Sequence, residues 1–290
     1  MWILFYRPKG EEEMTLAGCR IDKRVVILAL DGVEGKRAML DTITRVMDGP
    51  IGPYVAYVKL NDGLHDKDGG PNIVRAILVE HPKLDVFGDI KGADVWGTIQ
   101  NICKRYDVAR MLMTISIHVD HGVFAKLATT YPALKIAAMV VPTDIAKKDF
   151  LRRYDMEPAE AMETWYGGLT DLYREELDIP DGYPSELVIA SKDMLPTVQE
   201  NFPGVLSITP GVRDVWMVDA DHQKRTTGVQ KALELGARYV VMGAQLLKGA
   251  TGVDAKESQA RTVVEIERFF NPPDEGNDAL AGIHYREPQI

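Results

Sequence analysis

The chain has 290 residues, with 34 Lys and Arg against 43 Asp and Glu and a formal net charge of −9. Hydrophobic residues at 46% and charged residues at 27% fit a folded globular protein and exclude a disordered one, and the acidic balance argues against bulk attraction to nucleic acid. The two cysteines, Cys19 and Cys103, are too few for a disulfide framework, and no CxxC or Cys/His cluster points to zinc; no metal is expected, and a reduced cytoplasmic setting is the simplest reading.

The longest apolar stretches are of strand length, short of the ~20 residues a membrane-spanning helix needs. The opening Trp2-Ile3-Leu4-Phe5-Tyr6 run lacks both the basic lead and the apolar length of a signal peptide, so residues 1–21 are expected to be a peripheral extension.

From residue 24 onward, short apolar runs alternate with longer amphipathic segments. Strands are predicted at 24–31, 54–60, 84–91, 109–118, 134–141, 186–190, 205–209 and 239–242. Helical segments follow them near 36–46, 72–80, 94–106, 123–131, a longer region ending near 177, then 194–201, 227–235 and 255–270. Almost uniformly apolar strands suit a parallel sheet covered by helices. Eight strand–helix units in a chain slightly longer than ~250 residues point to a (β/α)8 TIM barrel, with an open doubly wound sheet as the alternative. The expectation is a single domain with its barrel core at about 22–270 and a C-terminal arm at 271–290, where Pro272-Pro273 opens an irregular tail.

In such a barrel the chemistry belongs at the C-terminal ends of the strands. Polar residues gather there: Asp31 closes the first run, Lys59 stands near the end of the second, Asp89 and Lys91 end the third, and His118 ends the fourth. Residues two apart on a strand share a face, so Asp89 and Lys91 are both expected to point inward. Asp94 follows, at a position suited to capping the next helix. Two lysines alternating with two carboxylates keep each other ionised in an enclosed place. A carboxylate fixed beside a reacting carboxylate disfavours the ground state, and a neighbouring ammonium stabilises the developing carbanion and supplies its proton. A buried structural ion pair with Asp94 as a plain helix cap is the competing reading.

The ordered pieces Leu28-Ala29-Leu30-Asp31, Val58-Lys59, Asp89-Ile90-Lys91-Gly92-Ala93-Asp94 with Thr98, Ile117-His118 with Gly122, Ile208-Thr209-Pro210-Gly211-Val212-Arg213, Asp221-His222-Gln223-Lys224-Arg225 and Tyr239-Val240-Val241-Met242-Gly243 resemble the orotidine 5′-monophosphate decarboxylase family. The likeness spans nearly all of residues 22–268. It implies a homodimeric barrel that converts orotidine 5′-monophosphate to uridine 5′-monophosphate in pyrimidine biosynthesis, without metal or organic cofactor. By matched position, Lys91 would be the proton donor, Asp89 would lie against the departing carboxylate, and Lys59 and Asp94 would complete the catalytic set. Asp31 and Lys59 would hold ribose hydroxyls, and Asp94 and Thr98 would reach the neighbouring subunit's site. Lysine at position 59 stands where sugar-phosphate aldolase and keto-acid decarboxylase relatives carry a metal-binding acid, so the resemblance favours the metal-free reaction.

The substrate-holding loops depart from the family pattern. Gly243 is followed by Ala244 where an arginine usually grips the phosphate, Val215 and Trp216 stand where a glutamine is usual, and Val140 takes the place of a serine or threonine, with Thr143 three residues on. Three consequences are open: Arg213, Lys224, Arg225, Lys248 or backbone N–H groups near Gly211, in the Pro210-Gly211 turn, and near Gly243 hold the phosphate instead; the chain is a lyase or decarboxylase of the same superfamily on a different substrate, unphosphorylated or a sugar phosphate; or it is a nucleotide-binding barrel that has lost efficient catalysis. His118 is expected to be a hydrogen-bonded structural imidazole, and Trp96 a subunit contact.

Overall fold

A computed structural model describes residues 22–65, 69–106, 110–142, 145–213, 227–250 and 252–272. Eight strands run in parallel: β1 (Val26–Ala29), β2 (Val55–Leu60), β3 (Asp85–Gly92), β4 (Met111–Ser116), β5 (Lys135–Met139), β6 (Leu187–Ile189), β7 (Leu206–Thr209) and β8 (Tyr239–Met242). They close in chain order, with β8 pairing back onto β1, so the (β/α)8 barrel is the fold and the open sheet is excluded. Most strands are shorter than the apolar runs that announced them; β8 matches its run and β3 is displaced by one residue.

Covering helices follow each strand: α1 (Lys36–Met47), α2 (Gly70–Glu80), α3 (Trp96–Tyr106) and α4 (Gly122–Thr130) in the first half. The long segment after β5 is broken into α5 (Lys147–Tyr154), α6 (Pro158–Ala161), a π-helical turn at Met162–Tyr166 and α7 (Gly167–Leu177). Its breaks have local causes: Asp155 takes a left-handed φ of 52° after α5, and Glu157 and Glu160 form a capping box that restarts the chain as α6. Then come α8 (Leu195–Asn201), α9 (Val229–Glu234), α10 (Ala244–Lys248) and α11 (Ala255–Phe270). The Asp254 side chain caps α11, its Oδ1 accepting the Glu257 N–H at 2.8 Å. Among the described residues no helix is long and apolar enough to cross a membrane.

The core has two layers, because each strand buries both faces. Outward residues such as Val26, Leu28, Val58, Val86, Met113 and Ile115 pack against the helices. Cys103 also lies there, and burial pushes its thiol up to about 11. Inward residues Ile27, Tyr57, Phe87, Leu112, Ala137, Ile189 and Ile208 fill the barrel, closing it below the C-terminal ends of the strands as a packed interior rather than a pore. Tyr57 and Tyr239 meet edge to face at 5.2 Å near its lower end, where the Lys135 ammonium donates to the Tyr57 hydroxyl at 3.2 Å. Phe87 is 2% exposed and lies two residues below Asp89. Phe87→Ala is expected to lower the unfolding free energy by about 3–5 kcal/mol, measurable by urea denaturation, with a value under about 1 kcal/mol contradicting the two-layer packing.

Candidate active site

The geometry begins with inward alternation. Tyr57 and Lys59 share the inner face of β2, so the lysine rises from the packed barrel interior to its mouth with only 8% of its side chain exposed. Its ammonium donates to both oxygens of Asp31, at 2.8 and 2.9 Å, and reaches Asp89 Oδ2 at 3.4 Å. Lys91 donates to the same Asp89 oxygen at 2.8 Å. The result is a continuous line, Asp31–Lys59–Asp89–Lys91, of alternating charge and zero sum.

The two ends of this line are exposed, Lys59 is buried and Asp89 is mostly so, with Asp31 at 57%, Asp89 at 13% and Lys91 at 49% side-chain exposure. Burial by itself would push the Asp89 carboxyl up. The Lys91 hydrogen bond, the charges of Lys59 and Lys91 and the Thr114 hydrogen bond together outweigh it and hold the carboxyl below its usual range. Asp89 is therefore a fixed anion at neutral pH.

Asp89 and Lys91 come together differently from the regular pleat expected of residues two apart. The β3–β4 register runs Gly88 opposite Met113, then jumps to Gly92 opposite Ile115. Three residues of β3 thus bulge against one of β4, and Lys91 adopts a left-handed φ of 47°. Bulges re-aim side chains next to active sites, and left-handed backbone at a non-glycine residue is a strain that surrounding structure must hold.

The remaining expected residues divide. Asp94 is exposed and outside the line of ion pairs; its Oδ1 accepts the Val95 N–H at 2.7 Å. It does not cap α3, since that helix opens at Trp96 and the Val95 carbonyl takes the first helical bonds from Thr98 and Ile99. Thr98 is exposed on the first turn of α3. Past β7, Pro210 and Arg213 are half-buried, Gly211 has a φ of 71°, and the Arg213 N–H bonds the Thr227 carbonyl at 3.0 Å. Past β8, a Cβ on Gly243 would come within 3.2 Å of the Ala29 carbonyl oxygen, so β1 and β8 close tightly there. Ala244 is exposed, while Gln245 is buried and bonds Thr262, away from the mouth. Val140 is fully buried in the helix-facing core. Thr143, Arg225, Lys224, Val215 and Trp216 lie outside the described residues, as do residues 1–21 and 273–290.

Three expectations are corrected: the regular pleat at Asp89 and Lys91, the Asp94 cap and the hydrogen-bonded ring of His118. Trp96 is half-buried against the core. His118 makes no side-chain hydrogen bond among the described residues; its ring meets Trp165 edge-on at 5.4 Å, because the π-helical turn places that indole over the end of β4. A groove of about 620 Å³ beside them is lined by His118, Asp120, His121 and Trp165, and no member of the ion-pair line borders it.

One site residue went unexpected. Thr114 lies in β4, is 1% exposed, and donates its hydroxyl proton to Asp89 Oδ1 at 3.0 Å. The signal was present: Leu112, Thr114 and Ser116 alternate inward, and a hydroxyl interrupts an otherwise apolar strand. Among the described residues no group of three or more His, Cys, Asp or Glu side chains is arranged to hold a metal ion.

No protein-family model and no curated protein sequence matches the chain. Among solved structures it is similar to orotidine 5′-monophosphate decarboxylase from Metallosphaera sedula, with a TM-score of 0.55 at 19% identity over 85% of this chain and 99% of that one. It is also similar to 3-keto-L-gulonate-6-phosphate decarboxylase from Vibrio cholerae, with a TM-score of 0.51 at 15% identity over 85% and 99%. The third, 3-hexulose-6-phosphate synthase from Salmonella typhimurium, gives 0.52 at 13% identity over 83% and 97%. In its fold, this chain is a barrel of the kind that orotidine 5′-monophosphate decarboxylases share with keto-gulonate-phosphate decarboxylases and hexulose-phosphate synthases.

Proposed function

We propose that this barrel is a metal-independent decarboxylase that converts orotidine 5′-monophosphate to uridine 5′-monophosphate, as a homodimer. The observation that carries the reading is the Asp31–Lys59–Asp89–Lys91 line at the catalytic end of the barrel; likeness in fold to decarboxylases and lyases of one superfamily supports the broader reaction class. The bond from the pyrimidine ring to its carboxylate breaks, carbon dioxide leaves, and the electron pair stays on the ring carbon. Lys91 gives that carbon a proton and recovers one from solvent. Because the line is already neutral, a substrate carboxylate placed beside Asp89 meets an anion without a free cation. At about 4 Å and an effective dielectric near 20, that repulsion is roughly 4 kcal/mol. It disappears as carbon dioxide departs, while the attraction of Lys91 for the developing carbanion grows, so both terms favour the transition state over the ground state. Asp94 and Thr98, exposed at the start of α3, are the residues this reading assigns to the partner subunit's site.

Formation of uridine 5′-monophosphate by purified protein tests the proposal, and turnover is expected to persist in excess chelator, because Lys59 already fills the strand-two position with a cation. Loss of turnover on chelation, with recovery on adding a divalent metal, would overturn the metal-free assignment.

A second reading is favoured by Ala244: with an exposed methyl where an arginine would grip phosphate, the substrate is an unphosphorylated acid of the same class. An arginine–phosphate grip contributes about 2–5 kcal/mol, and part of that appears in the rate. Comparing orotidine with its 5′-monophosphate separates the two. Preference for the phosphorylated substrate by tenfold or more supports the first reading, and equal turnover the second.

A further inference from the structure

We infer that Thr114 is a positioning residue that locks the Asp89 carboxylate in place for catalysis, an inference that rests on the decarboxylase reading above. Where β3 bulges with Asp89, Ile90 and Lys91 between its paired residues Gly88 and Gly92, β4 offers the single residue Thr114 between Met113 and Ile115. The inward position opposite the bulge is therefore Thr114.

Its side chain is β-branched and 1% exposed, so its χ1 has little freedom. Asp89 is the sole hydrogen-bond partner of its hydroxyl among the described residues.

The consequence lies in how the carboxylate is held. Lys91 and Lys59 both approach Oδ2, at 2.8 and 3.4 Å, leaving Oδ1, among the described residues, to Thr114 alone. Bonds on one oxygen permit rotation about the Cβ–Cγ axis, and a carboxylate facing a substrate carboxylate relieves repulsion by turning away. A donor on the second oxygen opposes that rotation. Among the described residues, the groups that bond Asp89 are Lys59 from β2, with Asp31 behind it, Lys91 from β3 and Thr114 from β4. Thr114 acts through Asp89 and touches no reacting atom.

Thr114→Val keeps the branched shape and removes the donor. A hydrogen bond to a charged group of this kind corresponds to roughly a 10- to 100-fold change. The variant is expected to lose that factor in kcat with KM changed less than about threefold, while the Asp89 carboxyl, followed by carbon-13 NMR in Asp-labelled protein and assigned with Asp89→Asn, titrates at higher pH than in the parent. Thr114→Ser, which restores the hydroxyl, is expected to recover most of both. If the valine variant does not fold, Thr114→Ala is read in the same way. An unmoved Asp89 titration in a folded variant overturns the inference, whatever happens to the rate, and so does a serine variant that recovers neither property. Should the parent protein release no carbon dioxide from orotidine 5′-monophosphate, the decarboxylase reading fails by itself; the titration still decides whether Thr114 holds Asp89.

Discussion

Replacing Lys91 by alanine is expected to reduce turnover of orotidine 5′-monophosphate by at least about four orders of magnitude while leaving the barrel folded. The size follows from two roles lost together. A positioned proton donor contributes roughly 10²–10⁴, and a preorganised charge beside a developing carbanion a further 10²–10³; the two are one side chain and do not multiply in full. The fold survives because the side chain is about half exposed and its ion pair to Asp89 is backed by Lys59 on the other side. Alanine bears the left-handed φ of position 91 no better than lysine does, so the backbone strain is unchanged. Carbon dioxide release and a thermal melt by circular dichroism check the two halves. An active Lys91→Ala protein removes the assigned donor, and an unfolded one makes Lys91 a structural residue.

Asp89→Asn is expected to lower turnover by about three orders of magnitude, equivalent to the roughly 4 kcal/mol of ground-state repulsion lost with the charge. It also affects stability, since Asp89 is the buried anion between two lysines. Removing one partner of a buried pair costs about 3–5 kcal/mol, but Lys59 keeps both bonds to Asp31, so about 2 kcal/mol at pH 7 is expected. The pH dependence has a definite sign. The Asp89 carboxyl is held low in the folded protein, so the unfolded chain binds more protons between the folded value and the unfolded value near ~4. Its contribution is complete above the unfolded value and is lost as pH falls through the folded one. The stability gap between parent and Asp89→Asn, measured by urea unfolding, is therefore expected at pH 7 and expected to shrink below about pH 4. A gap that is constant with pH would mean that the charge of Asp89 contributes nothing to the fold.

Much of this was legible in the sequence because it depends on local pattern. Alternating apolar runs and amphipathic stretches determined eight strand–helix units, and the limits of α11 at Ala255 and Phe270 follow from its period and its Asp254 cap. Polar residues ending apolar strands singled out Asp31, Lys59, Asp89 and Lys91, since a charge there is costly unless it is paired. Closure and register were beyond the sequence, because strand pairing joins residues far apart in the chain. Only the tertiary structure decided that β8 returns to β1, and that β3 bulges by two residues against β4. That bulge changed the site: Lys91 meets Asp89 through a left-handed backbone rather than an ordinary pleat, and Thr114, a hydroxyl in an unremarkable strand, faces the central carboxylate. The same contrast holds for Asp94, which spacing made a helix cap and the backbone placed one residue too early, and for His118, whose neighbour Trp165 comes from a π-helical turn that no simple period announces.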